Sequence, residues 1–561
     1  MEGNPSCVEN PYRVFIVFSI YFFIFLACLM TGCGGGSSDD GSPATATSLT
    51  FTTANKSILE GVNYYGDVYS GTYKAPDGVS IDVWVSVRER DTQTGVGTVN
   101  RMGVVIQGGT GLEVVPLLGG DEGLHTLWVA INYRGSSLTN ITPEWECAPG
   151  TEFISCLKEH DTFSKINPKL NARDANSVIS LLADDDAEIT VNGAVMKVSE
   201  SKFAPSGTTR SPVNLLTDSF GGVVVSYMLA EENSPELHNV FFEQVTYPSE
   251  RPISDGLNNA ARMMDVLFRA CEDDTSCSAA YPDIRVNFRD FMDTYHSTEV
   301  EIDGETIYAG GVFDRIISII EDNEVGGAIR YVGEIAKAHA DGSVAITTEY
   351  GPRGYSNPLG EQPRATYGLP QLDSSEWSAL LRGLPGGFFP GITNRTGMIC
   401  SFGINRAANP DSLSHYSTVK TEELPGDSGG TKEAFGYGFL VSYKTLLSIC
   451  PQLIEQTGSL ESPDASDIDA ENVIVFRGGL DIKHYFNTGS RQDEIRAYFT
   501  DSPGHRRVIT QKFLGQRVGE DWECLSTILR NFWNAADTTN QSLGDDCEES
   551  NGLSASELAG W

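Results

Sequence analysis

The sequence predicts an α/β fold, a mainly parallel β-sheet flanked by helices, with a mostly helical insertion in the middle of the chain. Three patterns point to it. Short apolar runs that stop at loops, "GVVIQGG" (103–109), "LWVAINYRG" (127–135) and "VNLL" (213–216), read as strands buried on both faces. Between and after them, "RDANSVISLLADD" (173–185) and "GGVVVSYMLAEENS" (221–234) space their apolar residues as helices do. From about residue 260 helical patterns take over, and the buried-strand rhythm returns only at "ENVIVFRGGLD" (471–481). Strands alternating with helices call for crossover connections, and the long interruption calls for an insertion.

Taken in order, the sheet opens with "SIDVWVSVRER" (80–90), which alternates as a strand does and follows a turn, "APDGVS". The two buried strands at 103–109 and 127–135 come next, then the helix at 173–185 and the strand leading to Ser219. A further helix and the strand "NVFFEQVTYP" complete the first part of the core. The insertion carries "AARMMDVLFRACEDD", "FDRIISIIEDNEVGGAIRYVGEIAKAHA" and "EWSALLRGL" as helical patterns, broken by loops such as "GLPGGFFPG". "SLESPDASDIDA" (459–470) reads as the returning linker, and no internal repeat is evident.

With 561 residues the chain is long enough for one domain plus a substantial insertion. A hydrophobic content of 40% describes a folded protein, and a net charge of −37 argues against nucleic acid as a partner. The acidity reads as a solvated surface. Residues 14–30 form an apolar run, followed at once by "TGCGGGSSDDGSPATATS". The stretch around Cys33 resembles a bacterial lipoprotein signal, with small residues just before the cysteine and a Gly/Ser/Asp tether after it. The expected division is a signal at 1–32, a flexible tether at 33–55, core at 56–260, cap at 261–465 and core again at 466–561. An uncleaved membrane-spanning anchor is the alternative for the first segment. Either reading exports the rest of the chain. Lipid on Cys33, with Gly34 in place of a retention-type aspartate, places the protein in the bacterial cell envelope at the outer membrane, with the face left open.

Export determines how the cysteines are read. Eleven occur; Cys7 and Cys28 leave with the signal and Cys33 carries lipid, which leaves eight in an oxidising compartment. They fall in close sequence pairs, Cys147/Cys156, Cys271/Cys277, Cys400/Cys450 and Cys524/Cys547, and four disulfides are expected. No C-x-x-C pair or histidine at ligand spacing supports a metal site, and no nucleotide-binding loop is found. No cofactor is expected.

Two serines compete for a chemical role. Ser428 lies in "GDSGG" (426–430), a protease-like signature, but no run of short β-strands surrounds it, and the nearest upstream histidines are His415 and His339, the latter inside a helical pattern. Ser428 reads as a loop residue. Ser219, in "LLTDSFGG", ends a central strand and is followed by Gly221 and Gly222, which resembles the nucleophile elbow G-x-S-x-G with Thr217 in place of its first glycine. A serine needs a base and an orienting acid. Downstream, Asp481 follows a strand and His505 lies in "DSPGHRR", in the chain order Ser, Asp, His; His484 is the rival base. For the oxyanion, a backbone N–H from the Gly108–Gly111 loop and that of Phe220 are the candidate donors.

These motifs resemble those of exported α/β-hydrolases similar to tripeptidyl aminopeptidases and proline iminopeptidases, over about residues 70–550. "GGTG" is similar to their oxyanion loop G-G-P-G, "NYRGSS" to D-x-R-G-x-G-S, and "TDSFGG" to the elbow G-x-S-Y-G-G. "CEDDTSCSAAYP" (271–282) resembles the C-x-x-D-x-x-C-x-x-x-Y-P start of their cap. "ICSFGINR" and "SICPQL" match the cysteines at the cap's end, and "VIVFRGGLD" and "SPGHR" the acid and histidine loops. The resemblance implies an α/β-hydrolase core with a helical cap and a Ser219–Asp481–His505 triad. It also implies Gly109 and Phe220 as oxyanion donors, and it supports the same cysteine pairs. Thr110, Asn132, Thr217 and Arg506 depart from the family pattern. The expected activity is removal of residues or short peptides from peptide amino termini through an acyl-enzyme. Alternatives are a carboxylesterase on the same scaffold, or a tethered binding protein without catalysis.

Overall fold

The computed structural model describes residues 48–54, 67–87, 101–106, 108, 126–136, 162–204, 213–231, 235, 237–243, 252–295, 298–308, positions among 312–320, 325–348, 398, 460, 470–478 and 506–511. In chain order the first strands are β1 (Ser48–Thr53), β2 (Asp67–Lys74), β3 (Ser80–Val87), β4 (Arg101–Ile106) and β5 (Thr126–Ile131). Helix α1 (Pro168–Ala183), the hairpin β6 (Glu188–Val191) and β7 (Ala194–Lys197), strand β8 (Val213–Asp218), helix α2 (Gly221–Leu229) and strand β9 (Leu237–Glu243) follow. Helices α3 (Pro252–Asp273), α4 (Thr275–Ala280) and α5 (Ile284–Thr294) come next, then β10 (Glu299–Ile302) and β11 (Glu305–Tyr308). After α6 (Val325–Ala340) and β12 (Ala345–Ile346), the chain returns through β13 (Ala470–Gly478) and β14 (Arg506–Gln511).

Among the described residues, eleven strands form one sheet in the order β14-β13-β9-β8-β4-β5-β3-β2-β1-β6-β7. From β5 to β14 every neighbouring pair is parallel, whereas β3 meets β5, and β2 meets β3, antiparallel. Of the runs read as doubly buried strands, β5 is buried at every residue, and β4 from Met102 and β8 are buried except at Val105, Leu216 and Asp218, which are half-buried. α1 starts where Asn167 accepts a hydrogen bond from the Leu170 N–H at 2.9 Å and Pro168 occupies the first turn. Its Asn176 donates to the Met228 carbonyl of α2 at 3.0 Å, which joins the two helices.

The segment read as tether is corrected at its end. Residues 48–53 form β1, with Leu49 and Phe51 alternating inward and Phe51 against Phe203, ring centroids 5.0 Å apart. Two hairpins missing from the sequence reading are encoded locally. Asn192-Gly193 and Asp303-Gly304 link β6 to β7 and β10 to β11, both residues of each pair at positive φ (50° and 82°, 55° and 77°), the combination a tight hairpin turn demands.

In the inserted region, α3, α5 and α6 share a second hydrophobic cluster that includes Phe268, Phe288, Phe291 and Ile335. A three-stranded sheet, β11-β10-β12, belongs to the same region, so the insertion is helical with a small β element.

Of the four expected disulfides, Cys271–Cys277 is formed. Between its two cysteines Asp274 caps α4, accepting from the Ser276 and Cys277 N–H groups at 2.9 Å each. Tyr281 packs against Gly333, where any Cβ would lie 2.3 Å from the ring. Those contacts account for Cys271, Asp274, Cys277 and Tyr281 of "CEDDTSCSAAYP". The other three expected pairs, Cys147 with Cys156, Cys400 with Cys450 and Cys524 with Cys547, lie outside the described residues, so Cys271–Cys277 is the disulfide seen among those described. Cys33 and the signal segment lie outside them too. No described helix is long and apolar enough to cross a membrane.

Candidate active site

β8 lies between β4 and β9. From β4 the chain moves one way across the sheet, to β5; from β8 it moves the other way, to β9, β13 and β14. The sheet's topological switch point therefore falls between β4 and β8, and ligands of such sheets bind outside the carboxyl ends of the strands there. Gly108, just after β4, and Ser219, just after β8, face each other across that point.

Ser219 is the residue on which the turn pivots. Its φ is 48°, in the left-handed region. Four non-glycine residues among those described have positive φ; Asn192, Asp283 and Asp303 are of the types that tolerate it, and Ser219 is the exception. Such a conformation costs on the order of 1–3 kcal/mol and persists when its surroundings hold it. The Ser219 N–H donates to the Glu243 carbonyl at the end of β9 (3.2 Å), and the Ser219 carbonyl accepts from Gly222 at 3.3 Å. Phe220, with φ −66° and ψ −18°, begins the helical turn of α2, so the helix's positive end lies beside the half-buried serine.

Thr217, the departure from the elbow pattern, is buried and has a partner. Its Oγ1 donates to the Ile106 carbonyl of β4 at 2.8 Å, across the register pair Ile106–Thr217. The branched side chain is directed onto the neighbouring strand end, where its hydroxyl is satisfied. Two residues on from Ile106, Gly108 presses on the elbow: a Cβ there would lie 2.1 Å from Ser219 Cβ and 2.2 Å from the Asp218 carbonyl oxygen. Only glycine allows that approach. The Gly108 N–H donates to Asp218 Oδ1 at 2.7 Å.

Asp218 was not singled out by the sequence, because its partner lies 110 residues away. Burial pushes its carboxyl up to about 6, against the lowering effect of the Gly108 N–H. Tyr133, after β5, is buried, and its phenol is pushed well above the ordinary value by burial and then by the Asp218 charge.

Next to Tyr133, Arg134 ties three segments together. It forks onto Asp174 of α1 (Nε–Oδ2 2.5 Å, Nη2–Oδ1 2.9 Å) and reaches Asp77 in the turn before β3 at 2.5 Å. Its own N–H donates to Asn171 Oδ1 at 2.8 Å. Asn132, which departs from the family aspartate, is buried, and its N–H donates to the Asp82 carbonyl at 3.0 Å.

Asp481, His505, His484, Gly109 and Ser428 lie outside the described residues. Asp481 follows the exit of β13, which is parallel to β9 with Phe476 level with Glu243. β14 begins at Arg506, directly after His505, and Arg506 is paired with Val473 on the entry side of β13. His505 therefore precedes a strand in the chain, whereas His484 follows the exit of β13. His339, considered beside Ser428, pairs with Asp290 at 2.9 Å on α5 and α6. Among the described residues no three His, Cys, Asp or Glu side chains gather in a way that would hold a metal ion.

A mainly parallel sheet in this strand order, crossing over at a serine held with positive φ between strand and helix, is the α/β-hydrolase fold. No protein-family model matches the chain, and no curated protein is similar to it. Among solved structures, an acetyl xylan esterase from Thermoanaerobacterium sp. is 7% identical with a TM-score of 0.30, over 87% of this chain and 89% of that one. An epoxide hydrolase from Vigna radiata is 12% identical (TM-score 0.25; 80% of this chain, 92% of that one). An acylaminoacyl peptidase from Pyrococcus horikoshii is 9% identical (TM-score 0.28; 83% of this chain, 40% of that one). At such scores the fold rests on strand order and elbow, and the neighbours' activities are not carried over.

Proposed function

We propose that the protein is a serine hydrolase in which Ser219 attacks a carbonyl carbon and forms an acyl-enzyme. The observation that supports this most is the left-handed φ of Ser219 at a strand-to-helix turn beside the switch point, a strained geometry with no evident purpose except to expose a hydroxyl. The Phe220 N–H, at the start of α2, and the Gly109 N–H are the proposed donors to the oxyanion. His505 takes the Ser219 proton, returns it to the leaving group, and then activates the water that releases the acyl group; Asp481 orients the imidazole. His484 is a second reading for the base, favoured by its place after the exit of β13, where β14 begins only after His505.

The proposed substrates are short peptides cut near a free amino terminus, on the strength of the sequence resemblance, with small esters as the alternative. The proposed location is the outer membrane, through lipid on Cys33. Labelling with a fluorophosphonate probe tests the chemistry. The parent and Ser428→Ala should label, and Ser219→Ala should not; an unlabelled parent, or labelling that survives in Ser219→Ala, would overturn the proposal. His505→Ala against His484→Ala identifies the base. A panel of aminoacyl, tripeptidyl and nitrophenyl ester substrates decides the class, and a mass spectrum of the mature amino terminus tests the anchor.

A further inference from the structure

Two side chains of the elbow itself, Thr217 and Asp218, reach across the switch point, Thr217 to the last residue of β4 and Asp218 to the segment that follows it. Thr217 Oγ1 donates to the Ile106 carbonyl (2.8 Å), and Asp218 Oδ1 accepts from the Gly108 N–H (2.7 Å). Between these two ties, the Gly108 Cα rests directly on Ser219 Cβ and the Asp218 carbonyl, with no room for a side chain. Neither hydrogen bond is needed to make the sheet, because the ladder between β4 and β8 already pairs Met102–Ile106 with Val213–Thr217. Both lie at the ladder's end, where the chain leaves regular structure.

We propose that Thr217 and Asp218 are positioning residues that clamp the end of β4 and the loop leaving it to the nucleophile elbow, so that the loop's backbone donor is held in place relative to Ser219. This rests on the hydrolase reading above, in which the next residue, Gly109, supplies one oxyanion donor. Placement matters steeply for such donors: a misplacement near 1 Å costs about 10²-fold in rate. A freely moving glycine loop would have to be ordered in every catalytic cycle, whereas two hydrogen bonds to the elbow order it in advance. The side chains of Asp218 and Thr217 hold the Gly108 N–H and the Ile106 carbonyl, so their effect should fall on the chemical step and spare binding.

The test uses Asp218→Ala, Asp218→Asn and Thr217→Val in the full chain, each checked for folding by its thermal transition. With the best substrate of the panel, Asp218→Ala should lower kcat about 10²-fold with KM within about threefold of the parent. Asp218→Asn keeps an acceptor for the Gly108 N–H and should recover most of that loss. Thr217→Val removes only the other tie and should lower kcat by a smaller factor; it carries the test if Asp218→Ala does not fold. A kcat for Asp218→Ala close to the parent's, or an Asp218→Asn as slow as Asp218→Ala, overturns the clamp. Amide hydrogen exchange over residues 104–111 is read in parallel. Faster exchange in Asp218→Ala than in Asp218→Asn supports the clamp, and equal exchange overturns it. If the parent neither labels nor turns over any substrate, the hydrolase reading fails, and the exchange measurement still decides whether the loop is clamped.

Discussion

Replacing Arg134 by methionine removes the cation held among the Asp174 and Asp77 carboxylates and the Lys165 carbonyl, with little loss of volume. The Arg134 side chain is 3% exposed and that of Asp174 5%, whereas Asp77 is 39% exposed. The cost is therefore dominated by Asp174. Removing one partner of a buried pair costs about 3–5 kcal/mol, because the remaining charge has lost both its counter-ion and its water. The exposed Asp77 contact adds about 0–1 kcal/mol. Roughly 4 kcal/mol is expected for Arg134→Met, measured by urea denaturation at pH 8. Arg134→Lys keeps the charge but not the two-pronged fit to Asp174, and should fall between methionine and the parent.

The pH dependence separates this explanation from simple loss of packing. Burial already pushes the Asp174 carboxyl above its ordinary value, with Arg134 pulling it down. Without Arg134 it must rise further. A carboxyl raised in the folded state contributes stability that is fully present below the unfolded pKa and is lost as pH rises through the folded one. The deficit of Arg134→Met should therefore shrink as pH falls towards about 4. Adding Asp174→Leu should also restore at least about 2 kcal/mol at pH 8, since an apolar pair can replace a buried ionic one at little cost. A deficit below about 1 kcal/mol, or one that stays constant from about pH 4 to 8, would refute the reasoning.

Three other outcomes follow from the same geometry. Gly108→Ala places a Cβ against the backbone of Asp218, so it should destabilise by about 1–3 kcal/mol and abolish fluorophosphonate labelling; undiminished labelling counts against the close approach. Asp218, with its carboxyl pushed up to about 6, contributes stability that is lost as pH rises from about 4 to 6, a change of roughly 3 kcal/mol. Asp218→Asn should remove that slope and be the more stable protein at pH 8, which urea midpoints at several pH values will show. Asn239→Leu removes the donor to the buried Asn214 amide and leaves Asn472 its longer bond to the His238 carbonyl (3.4 Å), and it should cost about 1–3 kcal/mol, more than changing all three to leucine; equal costs would mean that the amides do not act together.

The sheet was legible because parallel strands covered on both faces become continuous apolar runs, as in β4, β5 and β8. The elbow was legible because a serine between an apolar run and two glycines leaves few alternatives. What escaped did so for physical reasons. β1, β6, β7, β10 and β11 are short and half polar, and their strongest signal was the turn, Asn192-Gly193 or Asp303-Gly304, more than the strand. Thr217 looked like damage to the elbow because the sequence does not show that the Ile106 carbonyl waits beside it. The part of Asp218 was hidden for the same reason: its meaning depends on Gly108, which the fold alone brings to it.

The three asparagines show how the second part of the chain finds its place. Asn214, Asn239 and Asn472 lie level on β8, β9 and β13, each buried. Their side chains join across the sheet: Asn239 donates to Asn214 at 2.8 Å, and Asn472 donates to Asn239 at 3.0 Å. β13 returns to the sheet only after the whole insertion, and "VIVF" is apolar at every position, so it lacks the apolar–polar alternation that sets the register of a strand buried on one face. A slip of β13 by one residue would break the Asn472–Asn239 contact, leaving that of Asn239 with Asn214 intact, and would bury unpaired amide groups at about 1–3 kcal/mol each. The ladder thus selects the register in which Phe476 stands level with Glu243, which is itself paired with Asp218. The register of β13 on β9, and with it the level at which Gly478 ends the strand, is favoured by a polar contact near the strand's start.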